Sequence, residues 1–261
     1  MPQPPDTDAA APVTTGARVS TDRLPDLGPA YIETPPDPYT PDAPLVAEPW
    51  NTVTASFFIW IALAWLWKVR GRYREFPFLV CCLPILLAGG IGGTLFHGTR
   101  RSRWFFLLDV VPIQLLGLAG AAFMAYRFLG RRRLWVLLLV VPFYVLCHRL
   151  IFSAIGPQNR HRSINLSYAS LAPVVLAPVL LVLWRTRFRH GGWVVAGAIS
   201  FAIGWFFRLY DQHSAEYLPM GCHWLWHTFG ALSTAAMIQF FYKVEGDAPP
   251  DGAPVSVRVP N

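Results

Sequence analysis

The chain has 261 residues, 54% hydrophobic, 15% aromatic and only 14% charged, with a net charge of +7. A soluble domain carries about 25% charged residues, so the composition argues against a water-soluble enzyme and for an integral membrane protein. The arginines sit in short loops between apolar runs, where they anchor helix ends. That pattern excludes the interleaved basic and aromatic ribbon of a nucleic-acid binder.

Residues 1–47 contain eleven prolines with scattered aspartates and little bulky side chain. Such a segment cannot bury enough apolar surface to offset its ordering entropy. Residues 1–30 are therefore expected to form a disordered, Pro-rich tail. Residues 31–47, where aromatic and acidic residues return, read as a loop that can order on the membrane domain. No basic start precedes an apolar core, so no cleavable signal peptide is expected.

Residues 48–243 hold seven apolar segments, near 50–69, 76–97, 104–128, 134–152, 165–184, 193–210 and 221–242. Each approaches the roughly 20 residues that a spanning helix requires. The second contains Gly89-Gly90-Ile91-Gly92-Gly93, a small-residue surface suited to close helix packing. The fifth contains Pro173 and Pro178, tolerated where neighbours satisfy the freed carbonyls. Residues 244–261 read as a mobile polar tail. The expected fold is all-α, a seven-transmembrane-helix bundle, with no repeat and no second soluble domain. The four cysteines, Cys81, Cys82, Cys147 and Cys222, form no spaced disulfide framework. Loops one, three and five are richer in Lys and Arg than loops two, four and six, which favours an extracytoplasmic N-terminus.

The seventh segment opens with His223-Trp224-Leu225-Trp226-His227. Two histidines four residues apart lie on one helix face and can share a metal ion. They can equally be core histidines bonded to neighbours. Helix alternation brings further polar groups to the same membrane face: Glu48, His97, Asp109, His148, Asp211 and His213. Ionisable groups within spans are costly and mark pairing or function. His97 can complete a three-histidine metal site with an open fourth position, and Asp109 can handle the proton of a water there. The plainer alternatives are a headgroup-facing His97 and an Asp109 paired with Arg101 or Arg103. His148 with Arg149 suits a substrate contact or the membrane interface. His213 suits a surface loop.

Four motifs resemble the alkaline ceramidases, within the seven-helix metal hydrolases that include adiponectin-receptor-like proteins. They are Glu48-Pro49-Trp50-Asn51-Thr52, Gly90-Ile91-Gly92-Gly93-Thr94-Leu95-Phe96-His97, Leu107-Leu108-Asp109-Val110-Val111-Pro112 and His223-Trp224-Leu225-Trp226-His227. They follow the family's order across almost the whole membrane domain. The resemblance implies a seven-helix bundle, zinc on His97, His223 and His227, and a water-activating Asp109. It also implies hydrolysis of the amide of a ceramide-like membrane lipid, with no protein partner identified. The family serine four residues before the first histidine is Gly93 here. The adjacent Thr94 is the nearest hydroxyl for an oxyanion or substrate contact, although it points about 100° away on an ideal helix. Family members that bind calcium use the glutamate matched by Glu48, and Glu33, Asp37 and Asp42 are the nearby oxygen donors.

Two other classes remain open at this stage. One is a seven-helix lipid receptor or sensor in which zinc is structural. The other is a haem protein ligated through His97 and a seventh-segment histidine. A retinal Schiff base is disfavoured, because the only lysines are Lys68 and Lys243, at segment ends.

Overall fold

The structure, a computed structural model, describes residues 28–38, 40–130, 135, 137–155 and 160–247. Of the expected tails, 1–30 and 244–261, residues 1–27 and 248–261 lie outside the described residues, as does the basic run 131–133; residues 244–246 continue the last helix, with Val244 and Glu245 buried. The described residues form an all-helical array: α1 (Pro49–Ala55), α2 (Phe57–Lys68), α3 (Pro77–Thr99), α4 (Arg103–Leu129), α5 (Leu137–Ile155), α6 (Arg160–Arg185), α7 (Gly191–Tyr210), a 3-10 turn η1 (Asp211–Glu216) and α8 (His223–Gly246).

Local chemistry sets several boundaries. Pro49 and Pro77 sit in the first turns of α1 and α3, where a missing N–H costs nothing. The Ser102 side chain caps α4 by accepting from the Trp104 amide at 3.2 Å. Asp211 and Gly221 set the start of α8, as described below. Prolines within α3, α4, α5 and α6 are accommodated inside continuous helices.

Five stretches are long and apolar enough to cross a membrane: Pro49–Lys68, Pro77–Thr99, Arg103–Leu129, Arg162–Arg185 and Gly191–Glu216. The first joins α1 and α2 through Ser56. The other two expected segments differ. α5 supplies only the shorter apolar stretch Pro142–Ile155. α8 is 24 residues long but carries His223, His227, Gln239, Lys243 and Glu245. It packs against α1, α2, α3 and α7, so many of its polar groups meet protein rather than lipid. The outer surface is apolar: Trp60, Trp67, Phe143, Trp184, Ile199 and Phe206 are all exposed. Soluble monomers confine such surface to small patches.

Two packed cores occupy the end of the array away from the paired histidines. One joins Trp65, Val69, Phe76, Leu79, Leu83 and Ile238. The other joins Met124, Val179, Leu183, Val194, Phe240 and Val244. The glycine run on α3 does what its composition suggests. A Cβ at Gly90 would lie 2.8 Å from the Ile59 amide nitrogen, and one at Gly92 would lie 2.6 Å from the Leu108 carbonyl carbon. Both obstacles are backbone and cannot rotate away. Gly92→Ala is therefore expected to destabilise by about 1–3 kcal/mol, read as a lowered Tm in detergent. Gly192→Ala, with nothing within 4 Å, is the control expected to leave Tm unchanged or slightly raised.

Candidate metal centre

The site is built from the end of α3, the start of α8 and the loop before α1. His97 lies in the last turn of α3, while His223 and His227 occupy the first two turns of α8. All three are buried, and their candidate ligand atoms lie within 4.8 Å of one another. The ring centroids are 4.7 Å apart for His97 and His227, 4.8 Å for His223 and His227, and 5.6 Å for His97 and His223.

The start of α8 is held by Asp211. Its Oδ1 accepts from the amides of Cys222 at 2.8 Å and His223 at 2.9 Å, and its Oδ2 accepts from the Ile32 amide at 3.2 Å. A carboxylate is favoured at a helix N-terminus because the first amides have no helical partner. Gly221 makes this approach feasible: its φ is +69°, and a Cβ there would lie 2.5 Å from Asp211 Oδ1. Asp211 thus positions His223 without touching the site itself.

His97 is oriented by Glu48. Its Nδ1 donates to Glu48 Oε2 at 2.5 Å, which leaves the Nε2 lone pair facing inward, the usual arrangement behind a ligating imidazole. Glu48 is fully buried and also accepts from Arg100 Nη1, Thr34 Oγ1 and Asn51 Nδ2. Burial alone would raise its carboxyl pKa, but Arg100 and His97 outweigh burial and hold it down to about 2. Arg100 terminates α3 in the left-handed region with φ 50°, an uncommon conformation for a residue with a Cβ. Its buried side chain offsets that strain through bonds to Pro29 O, Thr34 Oγ1 and Glu48.

The loop before α1 roofs the site. Tyr31 stacks on His223 with centroids 3.6 Å apart. The seated segment begins before the expected residue 31, because Gly28, Pro29 and Ala30 are already buried. Gly28 sits so tightly that a Cβ would approach Phe96 Cζ to 2.4 Å.

The ligand set fits a metal ion on two grounds. The Nε2 atoms of His97 and His227 are buried with no hydrogen-bond partner, a costly state for polar atoms unless something else binds them. The second ground is the donor set, three imidazoles, which suits zinc and other first-row divalent ions.

Below the histidines lies a cavity of about 430 Å³, lined by Tyr31, Asp109, Arg208, His223 and His227 and otherwise almost entirely by apolar side chains of α2, α3, α4, α6, α7 and α8. This is within the roughly 300–1,000 Å³ range of small-molecule sites. Asp109 forms no ion pair with Arg101 or Arg103; both arginines are exposed, and Asp109 lies on the cavity wall. Its carboxylate reaches into the space at Gly93, where a Cβ would lie 2.6 Å from Oδ1.

The remaining sequence candidates separate from the centre. Thr94 Oγ1 donates to Gly90 O at 2.7 Å within its own helix, so its hydroxyl is committed to the backbone and does not line the cavity. His148 packs beside Phe152 and Tyr144 on α5, off the cavity wall. His213 is exposed beside Tyr210. The calcium set does not assemble. Glu48 directs both oxygens at protein donors. Glu33 accepts from the amides of Trp50 at 2.7 Å and Asn51 at 3.0 Å, and Asp37 is exposed. Glu33 therefore caps α1, and burial pushes its carboxyl pKa up despite those two amides.

Several contributors to the site were absent from the sequence reading. Tyr31 and Thr34 had no motif to mark them, and Asn51 stood in the first motif with no role attached. Arg100 and Arg208 follow or end apolar segments, the ordinary place of a loop arginine, yet both are buried, at 0% and 3% exposure. Comparison with protein-family profiles and with curated protein sequences finds no match.

Proposed function

We propose that the protein is a zinc-dependent amidase of the membrane, hydrolysing the amide bond of a ceramide-like N-acyl lipid. In this reading all seven apolar segments, α5 and α8 included, cross the bilayer. The metal-site end and the N-terminus then lie outside the cytoplasm. Arg100 and Arg208 leave the count of solvent-facing loop charges, which widens the asymmetry that favours this orientation.

The observation that carries the proposal is a cluster of three buried imidazoles, two of which, His223 and His227, share the wall of one largely apolar chamber with Asp109. His97, His223 and His227 would hold the metal, which would supply Lewis acidity toward a carbonyl and a water that ionises near neutral pH. Asp109 takes the proton of the attacking water and returns it to the departing amine nitrogen. Glu48 keeps His97 in the ligating tautomer. The apolar walls receive the acyl chain and exclude bulk water.

The test is hydrolysis of a panel of ceramides and other N-acyl lipids by purified, zinc-loaded protein. Asp109→Asn is expected to retain zinc and to lose about 10²–10⁴-fold in rate, the usual worth of a general acid–base group. Fatty-acid release that is unchanged in Asp109→Asn, or absent in the wild type, refutes the amidase. One observation favours a second reading, a lipid receptor with a structural zinc. Gly93 carries no hydroxyl and the Thr94 hydroxyl is held by Gly90, so the oxyanion donor of the resembled family is missing. The receptor reading predicts stoichiometric zinc and saturable lipid binding without turnover.

A further inference from the structure

The cavity contains a second polar feature that the hydrolytic reading does not use. Arg208, near the end of α7, is 3% exposed and lines the chamber together with Asp109, His223 and His227. Its Nε donates to Asn165 Oδ1 at 2.8 Å. Its Cζ lies 5.3 Å from the ring centroids of both Tyr168 and Trp226, so two aromatic faces hold the guanidinium in place. Among the described residues, its Nη atoms have no hydrogen-bond partner and it forms no ion pair. Arg100, the other buried arginine among the described residues, differs in pairing directly with Glu48.

The charge balance around Arg208 is lopsided. Among the described residues, Asp109 is the only carboxylate on the cavity wall and Arg208 the only arginine or lysine. Arg208 lies within Coulombic range of Asp109, Tyr31 and His227. Once a divalent ion joins the histidines, three positive charges face one negative charge. A buried guanidinium in an apolar chamber is costly unless an anion meets it. With Nε committed to Asn165, the two Nη atoms remain as a planar pair of donors, a shape that suits a carboxylate in two-point contact. The other polar atoms of the wall are few, so a bulky headgroup has little to bind.

We infer that Arg208 recognises a carboxylate on the substrate, which makes the preferred lipid an N-acyl amino acid rather than a neutral N-acyl amino alcohol. This rests on the amidase reading, keeps its N-acyl amide bond and replaces the neutral ceramide-like head with an acidic one. In such a lipid the carboxylate stands one carbon from the amide nitrogen. Arg208 can then hold the head while the carbonyl faces the histidines. Water oxygen bonds to the acyl carbon, the C–N bond breaks, and the proton ends on the amine of the released amino acid.

The test compares N-palmitoylglycine with its neutral counterpart N-palmitoylethanolamine on zinc-loaded protein in detergent, by calorimetric binding and by hydrolysis. Wild type is expected to bind the acid at least about tenfold more tightly, the scale of one charge-assisted two-point contact. Arg208→Gln is expected to erase that preference by weakening the acid alone, with zinc content and Tm retained. Arg208→Lys, which keeps charge without the planar pair, is expected to recover part of it. Equal binding of the two lipids by wild type overturns the inference, and so does an equal loss for both lipids in Arg208→Gln. If neither variant folds, the wild-type preference decides alone. Arg208-dependent binding of N-palmitoylglycine with no hydrolysis of either lipid refutes the amidase while supporting carboxylate recognition. Tighter binding of a phosphate-headed N-acyl lipid than of N-palmitoylglycine overturns the choice of carboxylate.

Discussion

His227→Ala is expected to strip the protein of its metal and, with it, any hydrolytic activity. Of the three histidines, His227 has the least alternative employment: its Nε2 is buried and unpartnered, and its ring is nearly perpendicular to both other histidines. Two imidazoles cannot hold a divalent ion as three do. The fall in affinity should exceed the roughly 10–100-fold that accompanies loss of an outer-shell partner. Metal analysis of the purified variant, with a lipid-hydrolysis assay alongside, checks both parts. Full metal content in His227→Ala would refute the three-histidine site. The fold should persist, because the two packed cores lie at the far end of the helices.

Glu48→Gln is expected to damage stability more than any ligand substitution. Its carboxylate neutralises Arg100, which has no exposed surface, and it orients His97. Glutamine keeps the shape but removes the charge, leaving a guanidinium buried without its counter-ion. Breaking a buried pair in this way costs about 3–5 kcal/mol. A large drop in Tm should accompany a 10–100-fold weaker metal affinity through loss of the bond to His97. The pH dependence follows from the same group. A carboxyl held at about 2 in the folded protein, against 4.5 ordinarily, adds stability that is fully present above pH 4.5. That contribution is lost as the pH falls toward 2, and at 1.36 kcal/mol per unit it amounts to about 3 kcal/mol. Acid unfolding of the metal-free protein should therefore steepen below pH 4.5. In Glu48→Gln that part of the profile should flatten.

The sequence disclosed these features unevenly, for physical reasons. Helix content and the apolar exterior were legible because spans obey one rule, length and hydrophobicity, that does not depend on neighbours. The exceptions are α5, whose apolar stretch is short, and α8, whose ionisable groups are met by protein packing. The histidines were legible because a four-residue spacing fixes a shared helix face. His97 followed from counting helix directions. The misassigned arginines show the opposite case. Arg100 and Arg208 follow or end an apolar stretch, where a basic residue ordinarily means a loop. Only the partners supplied from distant positions, Glu48 and Asn165, turn them inward. Glu48 was read as a calcium donor for the same reason: its acidity was visible, but the three protein donors waiting beside His97 were not. The carboxylate of Asp109 filling the space beside Gly93 was equally invisible to spacing.

The roof of the site ties the loop before α1 to the turn before α8. Ile32 bonds to Asp211 across 179 positions, and the Gln212 side chain donates to Ala30 O across 182. The loop before α1 thus has no seat until α8 is in place. The order of events is that of a clasp rather than a scaffold, with the first loop closing after everything beneath it is in place. Long-range closure of this kind is entropically slow, so the metal-binding end should be the last part of the molecule to mature. Ion capture and seating of Tyr31 on His223 then become a single late step. Chelation would be felt at the N-terminal loop, as faster proteolysis near residue 31, well before the helices part.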